Sequence, residues 1–297
     1  MISVSDLTLT YPSGKGVFDL DFSVAEGSVA GYLGPNGAGK TTTIRALLGF
    51  MRPDSGKCLI DGMDCSAEAS QIQHRLGYLP GEIAFPDGMD GVELLTLLSA
   101  LRGTRNGGRR QELLDMFELD PKGKIRKFSK GMKQKLAIVA AFMHDPDVLV
   151  LDEPSSGLDP LMQHRLMELI FAQKAQGKTI LMSSHVFEEV EKVCDSVLII
   201  KEGRLVAQSD VGSLMGSQRK LFVLTVADPA EATRLLEAEG FPAMLQSSGQ
   251  LEVAVPGEQV DRFVKTAAKL QVLNLDAKHQ TLEDIFIGYY RKGGSGQ

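Results

Sequence analysis

Cysteines are scarce in this sequence, and long apolar runs are absent. The three cysteines, Cys58, Cys65 and Cys194, are odd in number and lack the CxxC pairing of zinc sites, which argues against a disulfide framework or a zinc site and predicts reduced, structural thiols. No apolar run approaches the roughly 20 residues that span a bilayer, and the opening MISVSDLTLT lacks the basic and apolar regions of a signal peptide. We therefore expect a chain that stays in the cytoplasm.

Excess positive charge is missing as well. The formal net charge is −6, and basic residues are scattered apart from short clusters such as 109–110 and 122–135, which argues against a broad surface for nucleic acid. Hydrophobic residues make up 43% and charged residues 24% of the chain, values typical of a globular protein rather than a disordered or fibrous one. At 297 residues the chain can form one large domain and a smaller one, because single cores stop growing near roughly 250 to 300 residues.

Strand patterns open the chain. Polar and apolar residues alternate in ISVSDLTLTY and in FDLDFSVAEGSVAGYL, which predicts an antiparallel β layer leading into a buried strand at Val29 to Leu33. A glycine-rich turn and the helical segment TTTIRALLGF follow that strand. Strand, glycine turn and helix are the context that a phosphate-binding loop requires.

The middle of the chain changes from helical to alternating. A helical insert is predicted at about 84–143, from segments such as DGVELLTLLSALRG and GMKQKLAIVAAFMH. After it, the strand patterns DVLVL, TILMSS and SVLIIKEGRLVA are separated by helical ones. Strands separated by helices predict a parallel sheet, so we expect an α/β core that reaches residue 215.

A second, smaller domain is predicted beyond residue 215. The strand LFVLTV, the helix AEATRLLEAEG, two weak strands near 243–255 and the helix EQVDRFVKTAAKL indicate a small α+β unit of type βαββα at 216–292. The segment LEDIFIGYYRKG closes this unit. Residues 293–297 are expected to form a flexible tail.

One nine-residue run carries the strongest functional signal. It matches G-x-x-x-x-G-K-[ST] without exception, and its members are Gly34, Pro35, Asn36, Gly37, Ala38, Gly39, Lys40, Thr41 and Thr42. Glycines let the backbone N–H groups point at phosphate oxygens, and the start of the following helix adds its positive dipole end. Lys40 is expected to reach the β and γ phosphates of ATP, and the Thr41 hydroxyl to bind Mg²⁺.

Two acidic residues follow the next buried strand pattern. The strand DVLVL ends at Asp152 and Glu153, and parallel sheets present their ligands at this end of the strands. Asp152 is expected to hold Mg²⁺ through water, and Glu153 to orient or activate the attacking water. Many such acidic pairs only cap helices or end loops, so this pair indicates a functional site only because the phosphate-loop motif is also present. Together the two motifs fit many phosphate-loop proteins, nucleoside kinases and GTPases included.

Three further segments resemble one family, the ATP-binding-cassette (ABC) ATPases. FSKGMKQ at 128–134 resembles their signature loop, SGLDP at 156–160 resembles their D-loop, and His185 after TILMSS resembles their switch histidine. The resemblance covers about residues 1–215. It implies that Ser129 and Gly131 grip the γ-phosphate of ATP held by the opposite subunit, and that Asp159 of the D-loop contributes to the nucleotide site.

The resemblance also assigns roles to two ring side chains. It implies that His185 hydrogen-bonds the γ-phosphate and helps Glu153 to hold the attacking water, whereas a histidine after a strand is by itself more often structural. Tyr11 resembles the aromatic residue that stacks on adenine, although a tyrosine in a β layer also fits simple packing.

The sequence departs from the family pattern at two places. The usual LSGGQ reads FSKGM, which keeps Ser129 and Gly131 but introduces Lys130 and Met132. The usual glutamine after a YLP-like segment is Gly81, followed by Glu82. Either Glu82 replaces the glutamine or its contact is lost; the sequence leaves both readings open.

The expected function is that of the ATP-hydrolysing subunit of a membrane exporter. Drug and antibiotic exporter ATPases resemble this chain in carrying a small C-terminal domain with an LEDIF-like helix, here 282–286. The resemblance implies a separate transmembrane permease docked near 81–89, a second ATPase chain in a homodimer or close heterodimer, and a peripheral position on the cytoplasmic face of the membrane. The alternative is a soluble ABC ATPase that acts on ribosomes or DNA. One cassette, no heptad arm and an acidic balance favour the exporter, and the signature and D-loop would have no use in a nucleoside kinase.

Overall fold

The computed structural model describes residues 1–86, 88–103, 107–216, 220–278, 281–283 and 286. The chain divides into two compact units, Met1–Asp210 and Val211–Gln297. The division lies just before the boundary that the sequence predicts at residue 215. Among the described residues, no helix combines the length and the apolar character needed to cross a membrane.

The first unit contains two sheets and a set of helices. Its strands are β1 (Ile2–Thr10), β2 (Gly16–Val24), β3 (Val29–Leu33), β4 (Ser55–Ile60), β5 (Met63–Asp64), β6 (Leu76–Leu79), β7 (Val148–Asp152), β8 (Thr179–Ser184), β9 (Ser196–Lys201) and β10 (Arg204–Asp210). Its helices are α1 (Lys40–Leu47), α2 (Ala69–Arg75), α3 (Gly91–Leu101), α4 (Gly107–Met116), α5 (Lys130–Phe142), α6 (Pro160–Ala175) and α7 (Phe187–Val193).

The smaller sheet of this unit is the antiparallel layer that the opening pattern predicts. Its strand order is β2-β1-β4-β5, and Ile2 pairs with Val24 on one side and Ile60 on the other. Buried residues of β1 and β2 share one core with Ile44 and Leu47 of α1 and with apolar residues of the second sheet. The helix that follows the phosphate loop is therefore fixed in the single core that the two sheets share.

The larger sheet has the order β10-β9-β3-β8-β7-β6 and is parallel except for β10. Every residue of β3, β7 and β8 is buried, as expected for central parallel strands, which are covered on both faces. Since β3, β8 and β7 are neighbours, their carboxyl ends meet at one edge of the sheet. The α/β fold class with an antiparallel layer and a helical insert (α3, α4 and α5) is thus confirmed.

The second unit contains one strand more than the predicted βαββα arrangement. It comprises α8 (Val211–Gly216), β11 (Lys220–Val226), α9 (Pro229–Ala238), β12 (Ala243–Leu245), β13 (Leu251–Val255), α10 (Val260–Ala267) and β14 (Val272–Lys278). The sheet order is β12-β13-β11-β14 with all neighbours antiparallel, the split β-α-β arrangement in which two helices cover one face. The predicted βαββα unit missed β14, an edge strand whose last six residues are exposed and which therefore lacks a clear apolar pattern.

The end of the chain is only partly described. Leu282, Glu283 and Phe286 of the LEDIF segment are helical, and Leu282 is fully buried. The predicted flexible tail at 293–297 lies outside the described residues.

Candidate functional site

The glycine-rich run joins β3 to α1 as a tight curl. Gly37 and Gly39 have φ angles of 80° and 112°, in the left-handed region that side chains rarely adopt. A Cβ atom at Gly39 would lie 2.6 Å from Cγ1 of Val17. Glycine is therefore required at position 39 both by backbone conformation and by the close approach of β2.

Lys40, the first residue of α1, directs its ammonium group into this curl. Nζ donates to the carbonyl oxygen of Gly34 at 2.6 Å and lies 3.7 Å from Oε1 of Glu153. The side chain is only 7% exposed. The loop thus holds a buried positive charge next to an acidic residue that follows β7.

Asp152 and Thr41 meet at the mouth of the loop. Thr41 Oγ1 donates to Asp152 Oδ2 at 3.0 Å, and the Ser183 hydroxyl at the end of β8 donates to the other carboxylate oxygen. Asp152 is almost completely buried, and these hydrogen bonds offset part of the cost of removing its carboxylate from water. A hydroxyl and a carboxylate oxygen this close form a hard-oxygen pair suited to Mg²⁺.

Glu153 has an unusual backbone that directs its side chain toward Lys40. Its φ angle is 51°, rare for a residue with a side chain. Its N–H donates to Ser183, to the hydroxyl at 3.0 Å and to the carbonyl at 3.2 Å. Its Oε2 contacts Nδ1 of His185, which follows β8 and is 65% exposed. Strained residues of this kind concentrate at functional sites.

One cleft of about 830 Å³ is lined by Gly37, Gly39, Lys40, Thr41, Asp152, Glu153 and His185. Tyr11, which follows β1, also lines it. Arg45 Nη1 donates to the Tyr11 hydroxyl at 3.3 Å, and the pKa of Tyr11 is lowered, chiefly by a hydrogen bond with Thr42. The tyrosine is thus held at the helix that carries Lys40.

The segment 78–82 forms another wall of the cleft. A Cβ atom at Gly81 would lie 3.4 Å from the Asp152 carboxylate, and the exposed Glu82 also lines the cleft. Burial, and secondarily the Asp152 charge, raises the pKa of Tyr78 to about 12, so this hydroxyl stays neutral at pH 7. A larger residue at position 81 would contact Asp152 directly, whereas Glu82 reaches the cleft from the next position.

Five predicted site residues are not among the described residues that line this cleft: Gly34 and Ala38 of the glycine-rich run, and Ser129, Gly131 and Asp159 of the later motifs. Ser129 caps α5 by accepting from Met132 N at 3.2 Å, and Asp159 caps α6 by accepting from Met162 N at 3.0 Å. Gly131 lies against the turn before α6, since a Cβ atom there would be 3.1 Å from the Gly157 carbonyl oxygen. The two helix starts therefore adjoin each other.

Three buried polar residues around the site were not identified from the sequence: Ser183, Gln134 and Glu189. Ser183 supports Asp152 and Glu153, as described above. Gln134 of α5 is 2% exposed, and its Nε2 donates to the carbonyl oxygen of Pro154 at 2.8 Å, which connects the signature helix to the turn after Glu153. The serine pair before His185 was a signal for Ser183, whereas nothing in the local pattern distinguishes Glu189 from Glu188.

Comparisons with known proteins point in one direction. A family model described as "ABC transporter" matches residues 17–156. The bacitracin transport ATP-binding protein BcrA of Bacillus licheniformis is 33% identical, with 97% of this chain and 96% of the relative covered. The daunorubicin/doxorubicin resistance ATP-binding protein DrrA of Streptomyces peucetius is 31% identical over 96% of this chain and 91% of the relative. The solved ATP-binding subunit of an ABC transporter has a TM-score of 0.67 and 33% identity over 72% of this chain and 91% of that chain.

Proposed function

Because this chain belongs to the ABC transporter ATP-binding proteins, which bind and hydrolyse ATP, we propose that it powers a membrane exporter whose permease is a separate chain. The resemblance that the signature, D-loop and switch-histidine motifs suggest is confirmed. The proposal of export is supported by relatives named for bacitracin transport and for daunorubicin/doxorubicin resistance. Both align with nearly the whole chain, so the likeness extends beyond the cassette.

We propose that the cleft binds the triphosphate of ATP through the glycine loop. Backbone N–H groups and the start of α1 suit an anion, and the Lys40 ammonium lies inside the curl, 2.6 Å from the Gly34 carbonyl. Tyr11 is assigned to the adenine end because it lines the same cleft beside Arg45. Its ring supplies a flat surface on which a base can stack.

Thr41 and Asp152 are the proposed residues for Mg²⁺. Their oxygen atoms lie 3.0 Å apart and border the loop that is assigned to the phosphates. When bound, the ion offsets phosphate charge and orients the γ-phosphoryl group. Ser183 holds the second carboxylate oxygen of Asp152, so this chain fixes the carboxylate before any ligand binds.

Glu153 is the proposed general base for the attacking water, and His185 its partner. The contact between Glu153 Oε2 and the His185 ring, together with the 3.7 Å approach of Lys40 to Oε1, supports this assignment. A base must lie within hydrogen-bond reach of its water and near the γ-phosphate. Glu153 has such a position, because it borders the loop and is partly open to the cleft.

The single observation that carries the dimeric mechanism is the division of the motif residues between two places. Lys40, Thr41, Asp152, Glu153 and His185 share the cleft, whereas Ser129, Gly131 and Asp159 do not line it. We propose that the start of α5 binds the γ-phosphate of ATP held by a second copy of the chain, so that two ATP molecules close a head-to-tail dimer. ATP can drive closure only by binding the closed state more tightly than the open one. Once ATP is hydrolysed, this difference is lost and the dimer reopens.

We propose that the chain lies on the cytoplasmic face of the membrane and that the permease docks at the segment 81–89. Its far end is tied to the helical insert, because Met89 O accepts from Ile125 N at 3.1 Å and Gly88 O from Lys124 Nζ at 2.7 Å. Its near end holds Gly81, beside Asp152. A partner bound here can therefore respond to changes in the cleft. Phe50, which is 60% exposed, packs edge-on against Tyr78 nearby and offers this partner an apolar contact.

The test is co-expression of the tagged chain with the membrane protein encoded by the neighbouring open reading frame. We expect the two to co-purify in detergent, and ATP to drive substrate uptake into inside-out vesicles. A Phe50→Asp variant should lose the permease and keep ATP binding, while Leu273→Asp, an exposed apolar residue of the second unit, serves as the control. Co-sedimentation with ribosomes or DNA and no bound membrane protein would contradict the exporter and favour the alternative.

A further inference from the structure

Glu189 is a buried acidic residue just outside the cleft. It lies in α7, four positions after His185, and is 8% exposed. Its Oε2 accepts a hydrogen bond from the Ser155 hydroxyl at 3.0 Å and one from the Ser184 hydroxyl at 3.2 Å. Burial raises the pKa of this carboxyl group. A carboxyl group is costly to bury unless it is hydrogen-bonded, and these two hydroxyls supply the hydrogen bonds.

The two serines belong to the two segments that carry Glu153 and His185. Ser155 lies two residues after Glu153, in the turn that leads to α6, and Ser184 directly precedes His185 at the end of β8. One carboxylate oxygen therefore bridges residues 155 and 184. The bridge therefore joins the two segments whose side chains Glu153 and His185 contact each other.

The turn after Glu153 is fixed from its other side as well. Gln134 donates to the Pro154 carbonyl at 2.8 Å, so residues 154 and 155 are each held by a buried polar side chain from a different helix. The strained φ of Glu153 persists only if its surroundings hold it. Glu189 is not among the described residues that line the cleft, and the hydrogen bonds described for its carboxylate go to Ser155 and Ser184 rather than to the phosphate loop.

We propose that Glu189 is a positioning residue for hydrolysis, whose carboxylate joins the Glu153 turn to the His185 strand end and keeps these two side chains in contact. The inference rests on the proposed roles of Glu153 and His185. The proposed role affects turnover and not nucleotide binding, because the phosphate loop is held by contacts that do not involve Glu189. Losing the bridge therefore lowers kcat and leaves the affinity for ATP unchanged.

The experiment compares full-length variants in steady-state ATP hydrolysis and in calorimetric binding of a non-hydrolysable ATP analogue. For Glu189→Leu we expect kcat to fall at least about tenfold, with KM and Kd within about twofold of wild type, because small misplacements of reacting groups cost rate rather than binding. Glu189→Gln should recover kcat to within about threefold, since its amide oxygen can accept both hydroxyls. The matched control is Glu188→Leu, an exposed neighbour on the same helix, which should behave as wild type.

Single variants of the bridge keep the test valid if Glu189→Leu does not fold. Ser155→Ala removes one of the two bridge hydrogen bonds, and Ser184→Ala removes the other together with the hydrogen bonds of its hydroxyl with Val186. Each variant should lower kcat by about threefold at unchanged Kd. An unchanged kcat in Glu189→Leu or in both serine variants would overturn the inference, and so would a loss of analogue affinity equal to the loss of kcat. A parallel Glu153→Gln variant separates the two proposals: if it hydrolyses ATP normally, the assigned role of Glu153 fails, whatever Glu189 does.

Discussion

Two groups of motif residues in the first unit differ in the range of their contacts. In the cleft, side chains far apart in sequence bond one another: Thr41 with Asp152 and Glu153 with His185. At the starts of α5 and α6, by contrast, the side chains of Ser129 and Asp159 accept from backbone N–H groups only three positions ahead. The first group is organised as a site within one chain. The second is a pair of capped, exposed helix starts, whose motif residues we propose to act on ATP held by another copy of the chain.

Replacing Glu153 breaks the chemistry of the first group and should have the largest effect. Glu153→Gln keeps the size of the side chain and removes the base, so we expect kcat for ATP hydrolysis to fall about a thousandfold with ATP binding retained. Gel filtration with ATP should then show a stable dimer, because closure continues without hydrolysis. Glu188→Gln is the control. Full turnover in Glu153→Gln would remove this residue from the mechanism.

Replacing Lys40 should have the next largest effect, on affinity rather than rate. Lys40→Ala removes the buried ammonium held by the Gly34 carbonyl and leaves Glu153 without its basic neighbour. We expect the Kd for ATP, measured by calorimetry, to rise about 100-fold, as for other buried charges that lose a partner. Lys192→Ala, an exposed lysine of α7, should bind normally. Wild-type affinity in Lys40→Ala would refute the assignment of the phosphate loop.

The sequence predicted the cleft better than it predicted the supports of the cleft. Lys40, Asp152 and His185 could be placed together because the strand before each of them is apolar, and neighbouring parallel strands end at one edge. Gln134 and Glu189 could not be found in this way. Gln134 is hydrogen-bonded to a residue 20 positions away and Glu189 to one 34 positions away. A polar residue on a helix gives no local sign that it will be buried.

The fold shows the same limit. Central strands such as β7 and β8 were predictable because burial on both faces demands a continuous apolar run. The edge strand β14 was missed, because it gains its place from pairing with β11, where Leu221 lies opposite Lys278 and Val223 opposite Asp276. Polar and apolar residues serve equally well at such an edge, so backbone pairing rather than side-chain pattern defines this strand.

Replacing Ser129 tests the second group and should have a smaller effect. Ser129→Ala removes the α5 cap and the hydroxyl proposed for the opposite ATP, so hydrolysis should fall about tenfold, while a single chain keeps its Kd for ATP. Asp228→Ala, which removes the cap of α9 in the second unit, should cost similar stability without loss of hydrolysis. Equal losses in both variants would reduce Ser129 to a cap.

Mixing the two impaired chains, Lys40→Ala and Ser129→Ala, tests whether the two groups act together across a dimer. In a dimer of Lys40→Ala with Ser129→Ala, one site contains an intact Lys40 facing an intact Ser129. The mixture should therefore recover about a quarter of wild-type activity, because half of the dimers are mixed and each has one complete site. If both groups acted within one chain, the mixture would stay at the average of its two components.

Removal of the second unit should have the smallest effect on nucleotide binding, because every residue assigned to either group lies before Asp210. A chain that ends at Asp210 keeps β10, which pairs with β9 from Arg204 to Asp210, and loses only a unit with its own core. We expect a cooperative thermal transition and a Kd for ATP within about twofold of the full chain. A control that ends at Lys201 removes β10, uncovers the edge of β9 and should aggregate. If the chain ending at Asp210 also aggregates, the first unit depends on the second for folding, and the contrast between the two motif groups would have to be measured in the full chain.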